Sequence, residues 1–346
     1  MIKMAPIMVE LAKRGTGYNF IFTGQHRETM EQLRENFEVK EPDVILHTGK
    51  DITGILQMFL WILKILFKTV FRRKNIFGKI NRGDIALVHG DTFSALLGAL
   101  MGRLAGLKVG HVEAGLRSFN IFHPFPEEIT RLLTFSLSDY YFCPGEWAVN
   151  NLEKFKGVKI NTGMNTLYDS LKLISQRKTG QNVKIPKEKF CICSIHRFEN
   201  IFRREKLRRI LDILKKLTPS MKILFILHPP TEAQLKKYKY FEELKAEPNI
   251  ELRKRYDYAD FIYLLDKSKF LITDGGSNQE ECHYLGKPCL LLREATERKE
   301  GIETNVVLSR FDKDIIDDFF ENYEKYRGRP IDGGISPSFL IAQFIL

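Results

Sequence analysis

Short apolar runs recur along the chain, and each one ends in a polar segment that leads into a helix-like stretch. In the first half, Ile85–Val88 and Lys108–Val112 have the character of strands, and the small, apolar segment Ser94–Ala105 between them suits a crossover helix. A strand, a helix and a second strand in this order form a unit whose strands run parallel. The pattern therefore predicts an α/β fold built on parallel sheets.

The same alternation resumes in the second half, after the polar run Gln176–Glu188, which we interpret as a linker. A chain of 346 residues is long enough for two domains that each bury a core. We predict an N-terminal domain over 1–175 and a C-terminal domain over 176–346, whose last helix packs back on the first domain. The predicted strands of the second domain include Phe190–Ile195, Lys222–Leu227, Phe270–Thr273 and Cys289–Leu292.

Acidic residues stand at the predicted strand ends of the first domain. Asp91 and Glu113 each follow an apolar run, and Glu127 lies in the Pro-rich loop after the second strand. Ligands of parallel α/β sheets bind beyond the carboxyl ends of the strands. Carboxylates crowded there push their pKa values apart, which gives one site both an acid and a base. The alternative is structural: one residue caps a helix, and the others pair with Arg117 and Arg131.

The segment Asp274–Glu281 indicates a phosphate site in the second domain. Glycine at Gly276 lets backbone N–H groups approach an anion, and the predicted helix N-terminus, with Ser277, adds positive potential. Glu281, one turn further on, is placed to bond a ribose diol. A tight turn without function is the alternative.

Other charged residues also lie at strand ends of this domain. His196 and His228 each end a predicted strand, and Arg293 and Arg298 bracket another strand-end loop. Guanidinium groups suit phosphate, but pairing with nearby glutamates is an equal alternative for the arginines, and a structural role is the alternative for each histidine. No Walker loop or complete Gly-x-Gly-x-x-Gly follows a strand, so the sequence indicates neither ATP nor NAD.

The net charge of +11 is compatible with nucleic acid, an anionic membrane or a phosphorylated substrate. Lys and Arg are scattered and no nucleic-acid-binding motif is present, so we expect no nucleic acid partner. The cysteine count is odd and the spacing fits no metal site, which predicts buried free thiols in a reducing cytoplasm and no bound metal. The five cysteines are Cys143, Cys191, Cys193, Cys282 and Cys289.

The apolar segment Ile55–Phe71, followed by Arg72-Arg73-Lys74, is unusual for a globular α/β chain. Lys64 and Lys68 make it a poor bilayer span. Three alternatives remain open: the helix lies in a core or dimer interface, it lies on a membrane surface with its basic residues toward anionic lipid, or it spans the bilayer.

Taken together, these residues resemble the non-hydrolysing UDP-N-acetylglucosamine 2-epimerase family, almost from end to end. The ordered set of motifs is far more specific than any of its members. The motifs are Lys3-Met4-Ala5-Pro6, Thr23-Gly24-Gln25-His26-Arg27-Glu28, His89-Gly90-Asp91-Thr92, His111–Arg117, Pro124–Glu128, His196-Arg197, Asp274–Glu281 and Thr296–Gly301.

The resemblance implies two Rossmann-like domains in a glycosyltransferase-B-like fold with an interdomain cleft. It implies conversion of UDP-GlcNAc to UDP-ManNAc through elimination of UDP and its re-addition to a 2-acetamidoglucal. No metal and no cofactor is needed in that family. A cytoplasmic homodimer that serves surface polysaccharide synthesis is the corresponding expectation, with peripheral membrane contact through Ile55–Arg73 left open.

The resemblance also assigns residues. The catalytic candidates are Asp91, Glu113, Glu127 and His196. The substrate-binding candidates are Lys3, Arg117, His228, Gly276, Ser277, Glu281 and Arg298, and a weaker match to a regulatory site covers Gln25, His26 and Arg131.

Three departures from the family pattern bear on activity. The family has a strand and a Gly-Thr-Arg-Pro-Glu loop before the position of Lys3, so we expect a neighbouring strand to lack a partner. The phosphate turn reads Gly275-Gly276-Ser277 instead of Ser-Gly-Gly, and Phe198 stands where the family has Arg. The alternatives to epimerisation are a membrane-surface glycosyltransferase, a hydrolysing epimerase and an inactive UDP-sugar-binding homologue.

Overall fold

A computed structural model describes residues 1–24, 27–49, 55–121, 126–177 and 183–346. The chain forms two compact units, and we refer to Met1–Ile174 with Gly334–Leu346 as unit 1 and to Ser175–Gly333 as unit 2. Both are α/β with parallel strands, so the predicted fold class of two Rossmann-like domains is confirmed. The predicted regulatory residues Gln25 and His26 lie outside the described residues.

Unit 1 contains a four-stranded sheet of order β3-β4-β5-β6 and a separate two-stranded sheet, β1-β2, all parallel. Its strands are β1 (Ile21–Phe22), β2 (Val44–Ile45), β3 (Ile85–His89), β4 (Lys108–Val112), β5 (Tyr140–Cys143) and β6 (Val158–Asn161). Its helices are α1 (Ala5–Lys13), α2 (Arg27–Phe37), α3 (Ile55–Phe71), α4 (Arg73–Phe77), α5 (Phe93–Leu104), α6 (Glu127–Leu137), α7 (Glu146–Asn150) and α8 (Leu167–Ser175), which runs into the first residue of unit 2.

The connection from β3 to β4 positions the first acidic residues. Thr92 caps α5 by accepting a hydrogen bond from the backbone N–H of Ala95, so the helix begins at Phe93, two residues after Asp91. Among the described residues, β3 pairs with β4 on one side and with no strand on the other. The carboxyl ends of β3 and β4 therefore lie side by side at one end of the sheet.

Unit 2 is a six-stranded parallel sheet of order β12-β11-β10-β7-β8-β9. Its strands are β7 (Phe190–Ser194), β8 (Lys222–Leu227), β9 (Ile250–Lys254), β10 (Leu271–Thr273), β11 (Cys289–Leu291) and β12 (Val306–Leu308). Its helices are α9 (Phe198–Ile201), α10 (Arg204–Leu217), α11 (Pro229–Lys237), α12 (Phe241–Lys245), α13 (Tyr258–Lys267), α14 (Gly276–Leu285) and α15 (Lys313–Asn322), with a 3-10 helix at Tyr323–Tyr326; α16 (Pro337–Ile345) belongs to unit 1.

The core of unit 2 explains why its central strands read as continuous apolar runs. All five residues of β7 are buried, because helices cover both faces of a parallel sheet. Cys191 and Cys193 face one apolar cluster together with the inner side of α10. All five cysteines are buried and free, as predicted.

No helix among the described residues is long and apolar enough to cross a membrane.

Candidate active site

Glu113 directly follows β4, and each oxygen of its carboxylate lies next to a nitrogen of another side chain. Its backbone has φ of +63°, an uncommon conformation for a residue with a side chain. Lys3 Nζ donates to Oε1 at 2.7 Å, and His89 Nε2 lies 2.7 Å from Oε2. Glu113 is only 7% exposed, so the Lys3 ammonium offsets the cost of burying its charge. Lys3, a predicted binding residue, is thus a partner of a predicted catalytic carboxylate.

The histidines near Glu113 are neutral side chains. Burial lowers the pKa of His89 despite the neighbouring Glu113, and burial lowers the pKa of His111 to about 4. His111 Nε2 lies 2.8 Å from the carbonyl oxygen of Gly90, so this nitrogen carries the proton. This hydrogen bond between His111 and Gly90 connects the loop that carries Asp91 to strand β4.

A network of ion pairs joins Asp91 to the first turns of α6. Arg131 donates to Asp91 and, at 3.2 Å, to Glu128, while Arg117 donates to the other oxygen of Glu128. The backbone N–H of Ser118 adds a fourth hydrogen bond at 3.1 Å. Burial alone would raise the pKa of Glu128, but these donors outweigh it and the pKa is lowered.

Glu127 begins α6, and its backbone is fixed next to that of Asp91. The Thr130 hydroxyl lies within hydrogen-bonding distance of the carbonyl oxygens of both residues. The carboxylate of Glu113 lies close to Gly90, just before Asp91. We call Asp91, Glu113, Glu127 and Glu128 the carboxylate cluster, because these contacts bring them to one end of the unit 1 sheet.

The structural alternative for the three acidic residues, that they pair with Arg117 and Arg131, holds in part: Asp91 pairs with Arg131, whereas Glu113 pairs with Lys3. Arg117 and Arg131 do pair with acidic residues, but mainly with Glu128, which the sequence did not single out. The signal for Glu128 lies in helical phase, because Glu128 and Arg131 share the buried face of α6 at a spacing of three residues. Arg131, predicted for a regulatory site, is a structural partner of Asp91.

In unit 2, the buried carboxylate of Asp274 organises the loop after β7. It accepts hydrogen bonds from the backbone N–H groups of His196 and Arg197, both at 3.0 Å, and from Asn200 Nδ2 at 2.9 Å. Asp274 directly follows β10, which pairs with β7. One aspartate thus fixes the position of His196; the sequence analysis included Asp274 only as the first residue of the segment Asp274–Glu281 and gave it no role of its own.

The glycines after Asp274 make room for two basic side chains. A Cβ on Gly275 would lie 2.8 Å from His196 Cε1, and a Cβ on Gly276 would lie 2.6 Å from Arg298 Nε. Glycine is therefore required at both positions by close approach, as in phosphate-binding turns. Because Gly276 begins α14, His196 and Arg298 flank the positive end of a ten-residue helix. We call Asp274–Ser277 the glycine turn.

His196 and His228 stack on each other, with ring centroids 4.5 Å apart. Burial lowers the pKa of His196, and burial, with smaller contributions from the neighbouring His196 and Arg255, lowers the pKa of His228 to about 3. His228 Nε2 also lies 3.2 Å from Ser194 Oγ. Both rings are therefore neutral hydrogen-bonding groups at neutral pH.

The remaining predicted residues of this unit occupy α14. Ser277 is exposed, whereas Glu281 is buried and accepts a hydrogen bond from Asn278 Nδ2 at 2.8 Å. Arg298 donates to the buried carboxylate of Glu280, so part of its charge is already compensated.

Arg293 pairs with a glutamate, which was the structural alternative to binding phosphate. It is 4% exposed and donates to Glu297 at 2.9 Å, which removes it from the candidate phosphate ligands. Phe198 is 71% exposed and stacks on Phe202 at 4.3 Å. Among the described residues, no group of three His, Cys, Asp or Glu side chains could hold a metal ion.

Comparisons with known proteins identify similar sequences and similar structures. The sequence profile of the family described as UDP-N-acetylglucosamine 2-epimerase matches residues 10–328. A UDP-N-acetylglucosamine 2-epimerase homolog of Methanococcus maripaludis is 35% identical over 87% of this chain and 83% of its own length. The UDP-N-acetylglucosamine 2-epimerase of Campylobacter jejuni is also 35% identical, over 88% of this chain and 82% of its own.

Solved structures give the same result. The Methanocaldococcus jannaschii UDP-GlcNAc 2-epimerase in complex with UDP-GlcNAc and UDP has a TM-score of 0.83 and 29% identity, over 99% of this chain and 96% of that one. The Neisseria meningitidis enzyme bound to UDP-GlcNAc has a TM-score of 0.81 and 30% identity over the same shares. With its profile match, its relatives and its fold in agreement, the chain belongs to the UDP-N-acetylglucosamine 2-epimerase family.

Proposed function

We propose that this chain epimerises UDP-GlcNAc at C2 to UDP-ManNAc by the non-hydrolysing route, without metal or nicotinamide. The observation that carries the proposal is the carboxylate cluster, in which four acidic residues lie at one end of the unit 1 sheet. Family membership supports the substrate class, and relatives have been crystallised with UDP-GlcNAc and UDP.

The first half of the reaction is an elimination. A carboxylate base removes the proton from C2, the electron pair forms the C1–C2 double bond, and the C1–O bond to UDP breaks. Glu113 suits the role of base because the Lys3 ammonium favours its ionised form. Asp91 and Glu127 are the companion groups, and all three are proposed catalytic residues.

The departing UDP carries negative charge that needs stabilisation. The glycine turn offers the N-terminus of α14 with Gly276 and Ser277, flanked by Arg298 and by the neutral ring of His196. Glu281 is the proposed partner of the ribose, and His228 supports the His196 ring by stacking. His196 contributes a hydrogen bond to the diphosphate, and its neutral state avoids a fixed ion pair that would slow release.

The second half of the reaction forms again the bonds that the first half broke, but the proton returns to the other face of C2. UDP adds back to C1 of the 2-acetamidoglucal, and an acid delivers a proton to the opposite face of C2. Two groups on different faces of the sugar are therefore needed, which a set of several carboxylates supplies.

The decisive experiment is proton NMR of the chain with UDP-GlcNAc in deuterium oxide. We expect UDP-ManNAc to form and both epimers to carry deuterium at C2. Product without deuterium at C2 would exclude the elimination route. Release of free ManNAc with UDP would identify a hydrolysing epimerase, and UDP binding without turnover would identify a UDP-sugar-binding homologue.

The wider setting is part of the same proposal. A cytoplasmic homodimer that feeds UDP-ManNAc into surface polysaccharide synthesis is consistent with this substrate. Analytical ultracentrifugation of the chain measures its oligomeric state, and a monomer would remove the homodimer from the proposal.

A further inference from the structure

Helix α3 presents a broad apolar face to solvent, which is unusual for a helix already packed on a core. Its inner side is buried through Trp61 and Ile65, which pack against α5. Its outer side exposes bulky residues, up to 65% for Phe67 and 69% for Phe71. The exposed apolar residues of α3, which we call the outer face, are Phe59, Leu60, Leu63, Phe67, Val70 and Phe71.

The outer face is one continuous stripe. At about 100° per residue, its six members fall within an arc of roughly 120°. The helix is also fixed in this orientation, because Lys68 Nζ donates to the carbonyl oxygen of Leu46 at 3.0 Å and Trp61 Nε1 to that of Thr23 at 3.3 Å. Rotation cannot bury the stripe without breaking these contacts.

The charges around the stripe have a single sign. Residues 52–83 carry seven Lys and Arg side chains and no Asp or Glu. Within the described part of the chain, no carboxylate forms an ion pair with the exposed members of this set. Those exposed cations are Lys64, Arg72, Arg73, Lys74, Lys79 and Arg82.

We propose that α3 and the basic segment after it dock this protein on the surface of an anionic lipid bilayer. An apolar stripe bordered by cations matches a bilayer, whose acyl boundary accepts the aromatic side chains while lipid phosphates meet the basic ones. A second copy of the chain fits less well, because residues 52–83 of that copy would bring the same positive charge and no carboxylate to pair with it. The proposal does not depend on the proposed epimerase chemistry.

The test is flotation of the full chain with two kinds of vesicle, phosphatidylcholine alone and phosphatidylcholine with one third phosphatidylglycerol. We expect flotation with the anionic vesicles only, and weaker binding as sodium chloride rises from about 0.1 to 0.5 M. Equal flotation with both kinds, or with neither, would overturn the proposal.

Two variants separate the apolar contribution from the electrostatic one. The double change Phe67→Ser and Phe71→Ser, and the triple change Arg72→Gln, Arg73→Gln and Lys74→Gln, should each weaken partition roughly a hundredfold. The matched controls are Val158→Ser, an exposed apolar residue on β6, and the triple change of Lys236, Lys237 and Lys239 to Gln in unit 2; neither should alter partition.

Two outcomes would contradict the inference directly. If the triple change abolishes flotation but the double change has no effect, binding is electrostatic alone and the outer face does not dock. If the double change converts a dimer to a monomer in ultracentrifugation while no variant floats, a second copy covers the face. All replaced side chains are exposed, so unchanged thermal unfolding confirms that the variants are folded.

Discussion

The carboxylate cluster and the glycine turn both lie at the carboxyl ends of parallel strands, but they are built from different kinds of chemical group. The cluster uses buried ion pairs and one residue, Glu113, in a left-handed backbone conformation. The turn uses two glycines, a helix N-terminus and stacked neutral histidines. The scaffold therefore sets where a site forms, and the side chains at the strand ends set whether it handles protons or anions.

We predict the largest loss of activity for a change at Glu113. Glu113→Gln keeps the shape and the contact with Lys3 but removes the base, so kcat should fall roughly a thousandfold. Affinity for UDP should stay unchanged, because the proposed nucleotide ligands lie in unit 2. NMR assay of epimerisation and calorimetry with UDP measure the two quantities.

The matched control is Glu10→Gln, which removes a carboxylate from a partly exposed ion pair with Arg14 in the same unit. Full activity of that variant is expected. Equal loss of catalysis and UDP affinity in Glu113→Gln would show that the two regions do not divide the work.

The converse change is Gly276→Ala in the glycine turn. The new Cβ would lie 2.6 Å from Arg298 Nε, so the guanidinium must leave the start of α14. We expect affinity for UDP to fall roughly a hundredfold, since a charged hydrogen bond to phosphate is lost. Gly17→Ala is the control, because a Cβ there meets nothing within 4 Å. Unchanged UDP affinity in Gly276→Ala would remove the turn from the binding site.

Sequence reasoning identified the strand-end residues because a parallel sheet gathers its carboxyl ends at one edge. Asp91, Glu113 and Gly276 were all accessible to that argument. The partners were not: Lys3 contacts Glu113 across 110 positions, and no local pattern indicates such a pair. The choice of Glu128 over Glu127 as the partner of Arg117 depends on the helical phase of α6, which a Pro-rich entry obscures.

The apolar segment Ile55–Phe71 illustrates a second limit. Its composition predicts a helix with much apolar surface but not which side the core covers. The side of α3 that carries Trp61 and Ile65 is buried because it packs against α5 and β2. The side that carries Phe67 and Phe71 faces solvent. Burial is thus a property of the packing, and the sequence alone left three alternatives open.

A smaller effect should appear in stability at mildly acidic pH. The unfolded chain protonates His111 below about pH 6.5, whereas burial lowers the pKa of the folded ring to about 4. The unfolded state therefore binds more protons in this window, and stability falls as pH drops. We expect His111 to account for roughly 2 kcal/mol of loss between pH 7 and pH 5.

Urea unfolding of the parent chain and of His111→Gln at both pH values isolates this contribution. The glutamine amide can still donate to the Gly90 carbonyl but does not titrate, so the variant should lose less stability on acidification. Identical pH dependence of the two proteins would mean that the pKa of His111 is the same in the folded and the unfolded state.

The smallest predicted effect concerns His89, which we regard as a positioning residue for Glu113. Its Nε2 lies next to Oε2 of Glu113, whereas Lys3 donates to Oε1. The two partners together fix the direction of the carboxylate. His89→Leu should lower kcat about tenfold with unchanged UDP affinity. Loss of the contact also makes Glu113 a stronger base, so the acid limb of the pH–rate profile should move to higher pH. His89→Gln, which restores a donor, should lie between the parent and His89→Leu. A lower kcat without movement of the acid limb would mean that His89 acts only in packing and does not set the basicity of the Glu113 carboxylate.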